Sequence, residues 1–225
     1  MRLVVLACLL IAIAACGSDD GVGDTRAEQA RTAALDAGLD DEVADFLATA
    51  ARGQTATYQA TYPGPEEGTQ IVVANRSPDR RIDVLDGERI VEMQLVIDGE
   101  AVTCTRDADE DAIVACERTD AIVEPLGAFG ASTMEQLTGT LATRMEDYTF
   151  AIETATVAGT EARCLVTTIR EGRERSDLTD TGTLCISAEG ALLRVAQGDE
   201  VLEASDYTTD IPDGTFVRPD RDGDK

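Results

Sequence analysis

The sequence predicts an α+β protein in which a large antiparallel sheet of about ten or eleven strands is wrapped around, or covered by, three helices. Two observations lead to this fold class. Apolar residues recur at helical spacing in three stretches, and elsewhere they alternate at the two-residue period of strands, with turn residues between the runs. A sheet of this size must curl, close or split, and the helices are the elements available to cover its apolar face.

The three helical stretches lie in two places along the chain. The capping box at 25–28 predicts the start of a first helix, which should stop near Gly38, and a second helix should end at Gly53. Another capping box, at 132–135, predicts a third helix that runs to about Asp147. The predicted order of elements is therefore helix, sheet, helix, sheet.

Strands occupy most of the remaining sequence. Met93 and Leu95 alternate with other residues in a pattern that predicts a strand with one apolar face. Residue pairs that are typical of tight turns separate the strands: Asp86-Gly87, Asp98-Gly99, Ala158-Gly159, Glu189-Gly190 and Gly198-Asp199. This spacing predicts successive hairpins of an antiparallel meander.

The N-terminal residues have the pattern of an export signal. Arg2 precedes an uncharged run that ends at Cys16, too short for the about 20 residues of a bilayer crossing, so residues 1–15 are interpreted as a signal peptide. The letters IAAC that end this run resemble the lipobox of bacterial lipoproteins. The resemblance implies a diacylglyceryl group on Cys16, with residues 16–25 as lipidated cysteine and flexible tether. An ordinary secretory signal cut after Ala15 is the alternative.

Composition excludes several classes of function. The 225 residues include 19 Lys+Arg, 44 Asp+Glu and no His, which gives a formal net charge of −25. Nucleophilic pairs and zinc sites that need an imidazole are therefore excluded, and so acidic a chain lacks the basic face that binds nucleic acid. The patterns GxSxG, SxxK and glycine-rich phosphate loops are absent from the sequence. We expect a protein that is not an enzyme and has no cofactor and no nucleic-acid partner.

The acidic run at 107–111 begins like a calcium-binding loop. Such a loop needs Gly at its sixth position and a carboxylate at its twelfth, and the sequence has Ala112 and Arg118 at those places. We therefore expect no metal site. The run is expected to form the tip of a hairpin.

Four cysteines after Cys16 can form disulfides in three different pairings. Cys104 and Cys116 lie in two strand-like runs joined by an acidic turn, so a hairpin sets them opposite each other. Cys164 and Cys185 flank a polar loop in the same manner. The spacing predicts the disulfides Cys104–Cys116 and Cys164–Cys185, which suit an exported protein better than a cysteine-only zinc site without any CxxC.

The end of the chain resembles a known family. In the LolA/LprG-type (LppX-like) half-barrel lipoproteins of bacterial envelopes, a cysteine, an acidic-Gly turn, two strands and a Pro-Asp-x-x-Phe-x-x-Pro close follow one another. This sequence matches that pattern at Cys185, Gly190, Leu192, Leu193, Ile211, Pro212, Asp213, Phe216 and Pro219. The resemblance implies an unclosed half-barrel domain over residues 26–219, followed by a disordered tail at 220–225.

The same resemblance implies a cavity for acyl chains between the concave face of the sheet and the helices. The residues expected to line it are Tyr58, Ile71, Val73, Met93, Leu95, Phe129, Leu137, Leu141 and Met145. Ordinary core packing is the alternative for each of them. Arg76, Arg80 and Arg81 form the most basic stretch of the chain and could meet an anionic headgroup at the cavity rim, or could be solvated and neutralised by nearby Asp.

The N-terminal pattern, the cysteines and the family resemblance together predict a location and a function. We expect an extracytoplasmic lipoprotein of the bacterial cell envelope, anchored to a membrane through Cys16, that binds a lipid or another hydrophobic ligand without catalysing a reaction. The alternative is a protein-interaction or envelope-sensing module that uses the same fold as a docking surface, as the similar RseB/MucB-type regulators do. The sequence indicates no particular protein partner.

Overall fold

The computed structural model describes residues 20–106, 115–119, 131–173 and 181–219. These ranges contain the helices α1 (Asp20–Asp36), α2 (Asp41–Arg52) and α3 (Ala131–Arg144). Their strands are β1 (Tyr58–Pro63), β2 (Thr69–Arg76), β3 (Asp79–Asp86), β4 (Arg89–Ile97), β5 (Glu100–Thr105), β6 (Ala115–Arg118), β7 (Tyr148–Val157), β8 (Thr160–Ile169), β9 (Thr181–Ile186), β10 (Leu192–Gln197), β11 (Glu200–Glu203) and β12 (Asp206–Thr208). A short 3₁₀ helix, Asp213–Phe216, follows β12.

The strands form two antiparallel sheets. The seven-stranded sheet has the order β12-β1-β2-β3-β4-β5-β6, and the five-stranded sheet has the order β11-β10-β9-β8-β7. Within the described ranges no pairing joins β6 to β7, so the strands do not close into a barrel. The predicted α+β class, with antiparallel strands and three helices in the described chain, is confirmed.

The chain passes from one sheet to the other between β11 and β12. The amide of Ala204 donates to the carbonyl of Leu193 in β10 at 2.7 Å, and the amide of Ser205 donates to the carbonyl of Thr61 in β1 at 2.7 Å. Consecutive residues therefore hydrogen-bond to different sheets. The two sheets are neighbours at this corner.

Both predicted disulfides are present. Cys104 of β5 lies directly opposite Cys116 of β6, and Cys164 of β8 lies directly opposite Cys185 of β9. The Cα atoms are 4.0 Å apart in each pair. The pairing was predictable because each disulfide joins adjacent strands whose register follows from the connection between them.

α2 is the helix that the sequence specifies best. The Asp40 carboxylate accepts a hydrogen bond from the amide of Val43 at 2.9 Å and caps the helix, and Gly53 follows its last residue. Phe46 and Leu47 lie fully buried on its inner face. The predicted end of this helix is confirmed.

α1 begins earlier than the sequence predicts. It starts at Asp20, so residues 20–25, which were expected to belong to the flexible tether, are helical. The cause is a tertiary contact: Gly23 lies against Thr55, and the Arg26 guanidinium donates to the Gln54 side-chain oxygen at 2.6 Å. The chain just after α2 therefore packs against the first turns of α1.

The three helices share one core cluster with the five-stranded sheet, called the helix cluster below. α2 supplies half of its buried members, α1 supplies Ala34, and α3 supplies Met134 and Leu141. Leu39 between α1 and α2, Leu165 of β8 and Ile186 of β9 complete its buried part. No described residue of the seven-stranded sheet belongs to this cluster.

A second cluster, called the tyrosine cluster, joins the two sheets. It contains Tyr58, Tyr62 and Val73 of the seven-stranded sheet together with the disulfide Cys164–Cys185. Because neighbouring residues in a strand point to opposite faces, Cys185 and Ile186 lie on opposite faces of β9. The five-stranded sheet is therefore covered by helices on one face and by the tyrosine cluster on the other.

A third cluster, called the outer cluster, contains Met93, Leu95, Val102 and Cys104. The strand register shows which face of the seven-stranded sheet this cluster occupies. Val73 lies opposite Ile82, and Ile82 lies opposite Gln94. Opposed residues share a face, so the side chains next to Gln94 point away from Val73.

This arrangement corrects the prediction that one sheet wraps around the helices. The strands are divided between two sheets, and the described helices pack against the five-stranded sheet. The apolar face of the seven-stranded sheet also changes sides between β2 and β4, as the tyrosine and outer clusters demonstrate. Alternation within one strand defines two faces but does not say which face meets which layer.

Candidate functional site

The residues predicted to line one cavity are divided among the three clusters. Tyr58 and Val73 lie in the tyrosine cluster with Ile71 packed against it, whereas Met93 and Leu95 lie in the outer cluster. Leu141 belongs to the helix cluster, and Leu137 and Met145 pack against that cluster. Phe129 and the lipidation candidate Cys16 lie outside the described residues. The structure therefore does not bring the described members of this set together around one space.

A groove nevertheless lies beneath α3, on the helix-facing side of the five-stranded sheet. Its volume is about 320 Å³, and its apolar walls include Leu137 and Leu141 of α3. The sheet side includes Phe150, Leu165, Leu184 and Val195. The sequence prediction identified the two α3 residues but missed the four on the strands, although their alternation was visible in the sequence.

The floor of the groove is graded from apolar to polar. One cross-strand row holds Leu165, Leu184 and Val195, which lie opposite one another on β8, β9 and β10. The next row on the same face holds Phe150, Thr167, Gly182 and Gln197, so it is apolar on β7 and more polar on β8 to β10. Gly182 has no room for a side chain in this second row, because a Cβ atom there would lie only 2.7 Å from the Thr167 hydroxyl oxygen.

Arg144 stands at the polar end of the groove. It is the last residue of α3, and its guanidinium carbon lies 5.7 Å from the centre of the Tyr148 ring, in cation–π range. Arg170 fixes the start of β7 there, since its Nε donates to the carbonyls of Met145 and Tyr148 at 3.0 Å each. Arg144 is the one charged residue among the described residues that line the groove.

A second groove lies on the other side of α3, between that helix and α1. Its volume is about 390 Å³, and small side chains such as Ala30, Ala33 and Ala51 line it. Arg26 and Glu135 give it one charge of each sign. α3 thus has open space along both of its sides.

The predicted rim arginines do not line either of these grooves. Arg76 donates to the carbonyl of Ile211 at 2.7 Å, and Arg81 donates to the carbonyl of Thr215 at 2.7 Å. Arg80 donates to the carbonyl of Gln54 at 3.4 Å. Two of the three side chains therefore hold the C-terminal segment against the seven-stranded sheet, and a headgroup-binding role for any of them stays a prediction.

Arg81 also pairs with Asp83 on the same face of β3. Its Nε lies 2.8 Å from both carboxylate oxygens of Asp83. Burial raises the pKa of Asp83, and the hydrogen bond and charge of Arg81 oppose that rise. The pair is a structural ion pair beneath the C-terminal segment.

A polar cluster joins the β9–β10 turn to β12. The Tyr207 hydroxyl donates to the Glu189 carboxylate at 2.6 Å and lies 3.0 Å from the Ser187 hydroxyl. Burial raises the pKa of Tyr207, and the bond to Glu189 raises it further. The Tyr58 and Tyr207 rings stack with centroids 6.3 Å apart. The contacts fix the turn against the tyrosine cluster.

The described residues contain no group of three or more Cys, Asp or Glu side chains placed to hold a metal ion. Among the described helices, none combines the length and apolar character that a membrane crossing needs.

Comparison with known proteins adds no relative. No protein-family model, curated protein or solved structure matches the chain.

Proposed function

We propose that the protein is a membrane-anchored extracytoplasmic lipoprotein that binds an acyl chain in the groove beneath α3 and catalyses no reaction. The observation that carries this proposal is the apolar groove between α3 and the five-stranded sheet, with its floor of Leu165, Leu184 and Val195. Apolar walls with few polar groups are typical of small-molecule sites.

The volume of the groove limits the ligand. A space of about 320 Å³ is near the lower end of the range of about 300–1,000 Å³ that is common for ligand pockets. It suits one acyl chain better than a lipid with several chains. The sequence alone predicts a lipid or another hydrophobic ligand, and the groove volume favours a ligand with a single acyl chain.

The two disulfides support export. Such bonds persist in oxidising compartments and are rare in the cytosol. Together with the charged N-terminus, the apolar run and the lipobox-like residues that end at Cys16, they support an extracytoplasmic location and a lipid anchor.

We also propose that the two sheets are the halves of an unclosed half-barrel of the LolA/LprG type. Support comes from the β11–β12 corner, which links the two sheets edge to edge from β7 to β6.

Native mass spectrometry tests ligand binding. The exported chain with Cys16→Ser is expected to carry a discrete lipid mass, and filling the groove with Leu137→Trp should remove it. Val201→Trp is a matched control, because Val201 lies exposed on β11 and does not line the groove. A folded protein that carries no lipid and binds no added fatty acid would overturn the proposal.

The anchor has a separate test. Cys16→Ser is expected to release the protein from membranes, whereas Cys8→Ser, in the same N-terminal run, should leave it bound. Fractionation of membranes and soluble extract measures both. Equal membrane retention of the two variants would refute lipidation at Cys16.

A protein-docking module is the second candidate. The observation that favours it is the division of the predicted cavity residues among three packed clusters, which leaves open grooves along α3 in place of one enclosed space. An empty groove in native mass spectrometry, together with normal folding, would favour this candidate over the lipid carrier.

A further inference from the structure

We propose that the groove beneath α3 selects fatty acids over neutral or cationic amphiphiles, with the Arg144 guanidinium binding the carboxylate. This inference rests on the proposed acyl-binding function and adds the chemical class of the headgroup. Three features of the described residues support it: the charge of the lining, the change from apolar to polar residues along the floor, and the position of Arg144 outside the ion pairs.

The charge of the groove is opposite to that of the whole chain. Asp and Glu make up 44 of the 225 residues, and the net charge is −25. None of the described residues that line the groove is acidic, and Arg144 is its one charged member. A cationic ligand is therefore attracted to most of the surface, whereas an anionic ligand meets one cation and no carboxylate among the described residues that line the groove.

The change from apolar to polar residues along the floor sets the orientation of the ligand in the groove. The apolar row of Leu165 is followed by the row of Thr167, and then by the start of β7 at Tyr148 beside Arg144. From Leu165 to Ile169, which lies opposite Tyr148, is four residues of strand, or about 13 Å. An acyl chain of that length can lie over the apolar row while its headgroup reaches the guanidinium.

Arg144 is available to a ligand. It takes part in none of the ion pairs between described residues, and the Tyr148 ring supports its guanidinium from one side. A guanidinium can bind both oxygens of a carboxylate at once. One arginine neutralises one negative charge, which matches a carboxylate better than a phosphate monoester of about −1.5 to −2 charge.

Three probes with the same chain and different headgroups test the selectivity. Dodecanoate, dodecanol and dodecyltrimethylammonium are titrated into the exported Cys16→Ser chain by calorimetry. Dodecanoate is expected to bind about tenfold more tightly than dodecanol, as one charge-assisted contact at a partly exposed site allows. Dodecyltrimethylammonium should enter the groove most weakly in spite of the acidic surface.

Two variants assign the effect to Arg144. Arg144→Gln should lower the affinity for dodecanoate to about that for dodecanol, and Arg144→Lys should restore part of the difference. Arg194→Gln is the matched control, because Arg194 lies on the opposite face of the five-stranded sheet, next to Glu203. Its affinity for dodecanoate should equal that of the unsubstituted chain.

The outcomes separate this inference from the function on which it rests. Equal affinities for dodecanoate and dodecanol, or a dodecanoate preference that survives Arg144→Gln, would overturn the headgroup assignment while acyl binding stands. Failure of a folded chain to bind any of the three probes would overturn the acyl-binding function itself.

Discussion

The five-stranded and seven-stranded sheets bury their apolar residues in different ways. The five-stranded sheet is covered on both faces, by the helix cluster on one and the tyrosine cluster on the other. The seven-stranded sheet places Tyr58 and Val73 on one face and Met93 and Leu95 on the opposite face. The five-stranded sheet is therefore packed between two layers. In the seven-stranded sheet, the face that carries the buried apolar residues differs between β2 and β4.

This difference has consequences for function. The helices and the groove beneath α3 belong to the five-stranded sheet. The C-terminal segment is held against the seven-stranded sheet by Arg76 and Arg81. Substitutions that disturb the five-stranded sheet should therefore affect both stability and ligand binding, whereas those in the seven-stranded sheet should affect stability alone.

The largest effect is expected where α2 meets the β9–β10 turn. A Cβ atom at Gly190 would overlap the carbonyl oxygen of Thr49, and the φ angle of Gly190 is +91°. Because both the clash and the left-handed backbone must be accommodated, Gly190→Ala should lower the free energy of unfolding by about 4 kcal/mol. Urea unfolding measures the loss.

Gly99 in the seven-stranded sheet provides the matched control. Its φ angle is +77°, but an added Cβ atom would meet nothing within 4 Å. Gly99→Ala should therefore cost only the backbone term, about 1 kcal/mol. Equal losses for the two variants would contradict the close packing of α2 against the turn.

A smaller difference in the free energy of unfolding is expected between the disulfides of the two sheets. The cysteines are 21 residues apart in Cys164–Cys185 and 12 apart in Cys104–Cys116. Replacing either pair by alanines should cost about 3 kcal/mol, with the longer loop losing about 0.5 kcal/mol more. Urea unfolding of the two double variants measures this order. A larger loss for the Cys104–Cys116 pair would indicate that loop closure does not dominate the difference.

The smallest effects concern two carboxyl groups whose pKa values shift in opposite directions. Burial raises the pKa of Asp83 in the seven-stranded sheet above 3.8. Burial also acts to raise the pKa of Glu189 beside the five-stranded sheet, but hydrogen bonds with Tyr207 and Ser187 outweigh it and hold the pKa below 4.5. Carboxyl carbon NMR during an acid titration measures both directions.

The two shifts have opposite effects on stability. The contribution of Asp83 is present below pH 3.8 and is lost as the pH rises through its raised pKa. The contribution of Glu189 is present above pH 4.5 and is lost as the pH falls through its lowered pKa. On acidification, the stability of the unsubstituted chain should therefore rise relative to Asp83→Asn and fall relative to Glu189→Gln. The same sign for both variants would contradict these environments.

Local features of the fold were predictable from the sequence. The end of α2 at Gly53 and the lining residues Leu137 and Leu141 of α3 depend on residues a few positions apart. The two disulfides depend on strands that are adjacent in the chain. Such contacts are encoded by spacing and are therefore visible before the fold is known.

The candidate site was predicted only in part, because it joins distant segments. Leu141 in α3 was identified as a lining residue, but its partners Leu165 and Leu184 in β8 and β9 were not. Met93 was assigned to the cavity although it faces the other side of its sheet. The choice between two faces of a strand depends on the layer that packs on it, which spacing does not encode.

The sequence alone determined the fold class, the hairpins, the cysteine pairs and the expectation of an exported, lipid-anchored chain. Those conclusions depend on periodicity, turn residues, charge and short motifs, all of which are local. The tertiary structure decided the corner at Ala204 and Ser205, the start of α1 at Asp20 and the position of Arg144 at the groove. Each of these depends on packing between segments far apart in the chain, where burial and backbone hydrogen bonds select one arrangement among several that the same pattern allows.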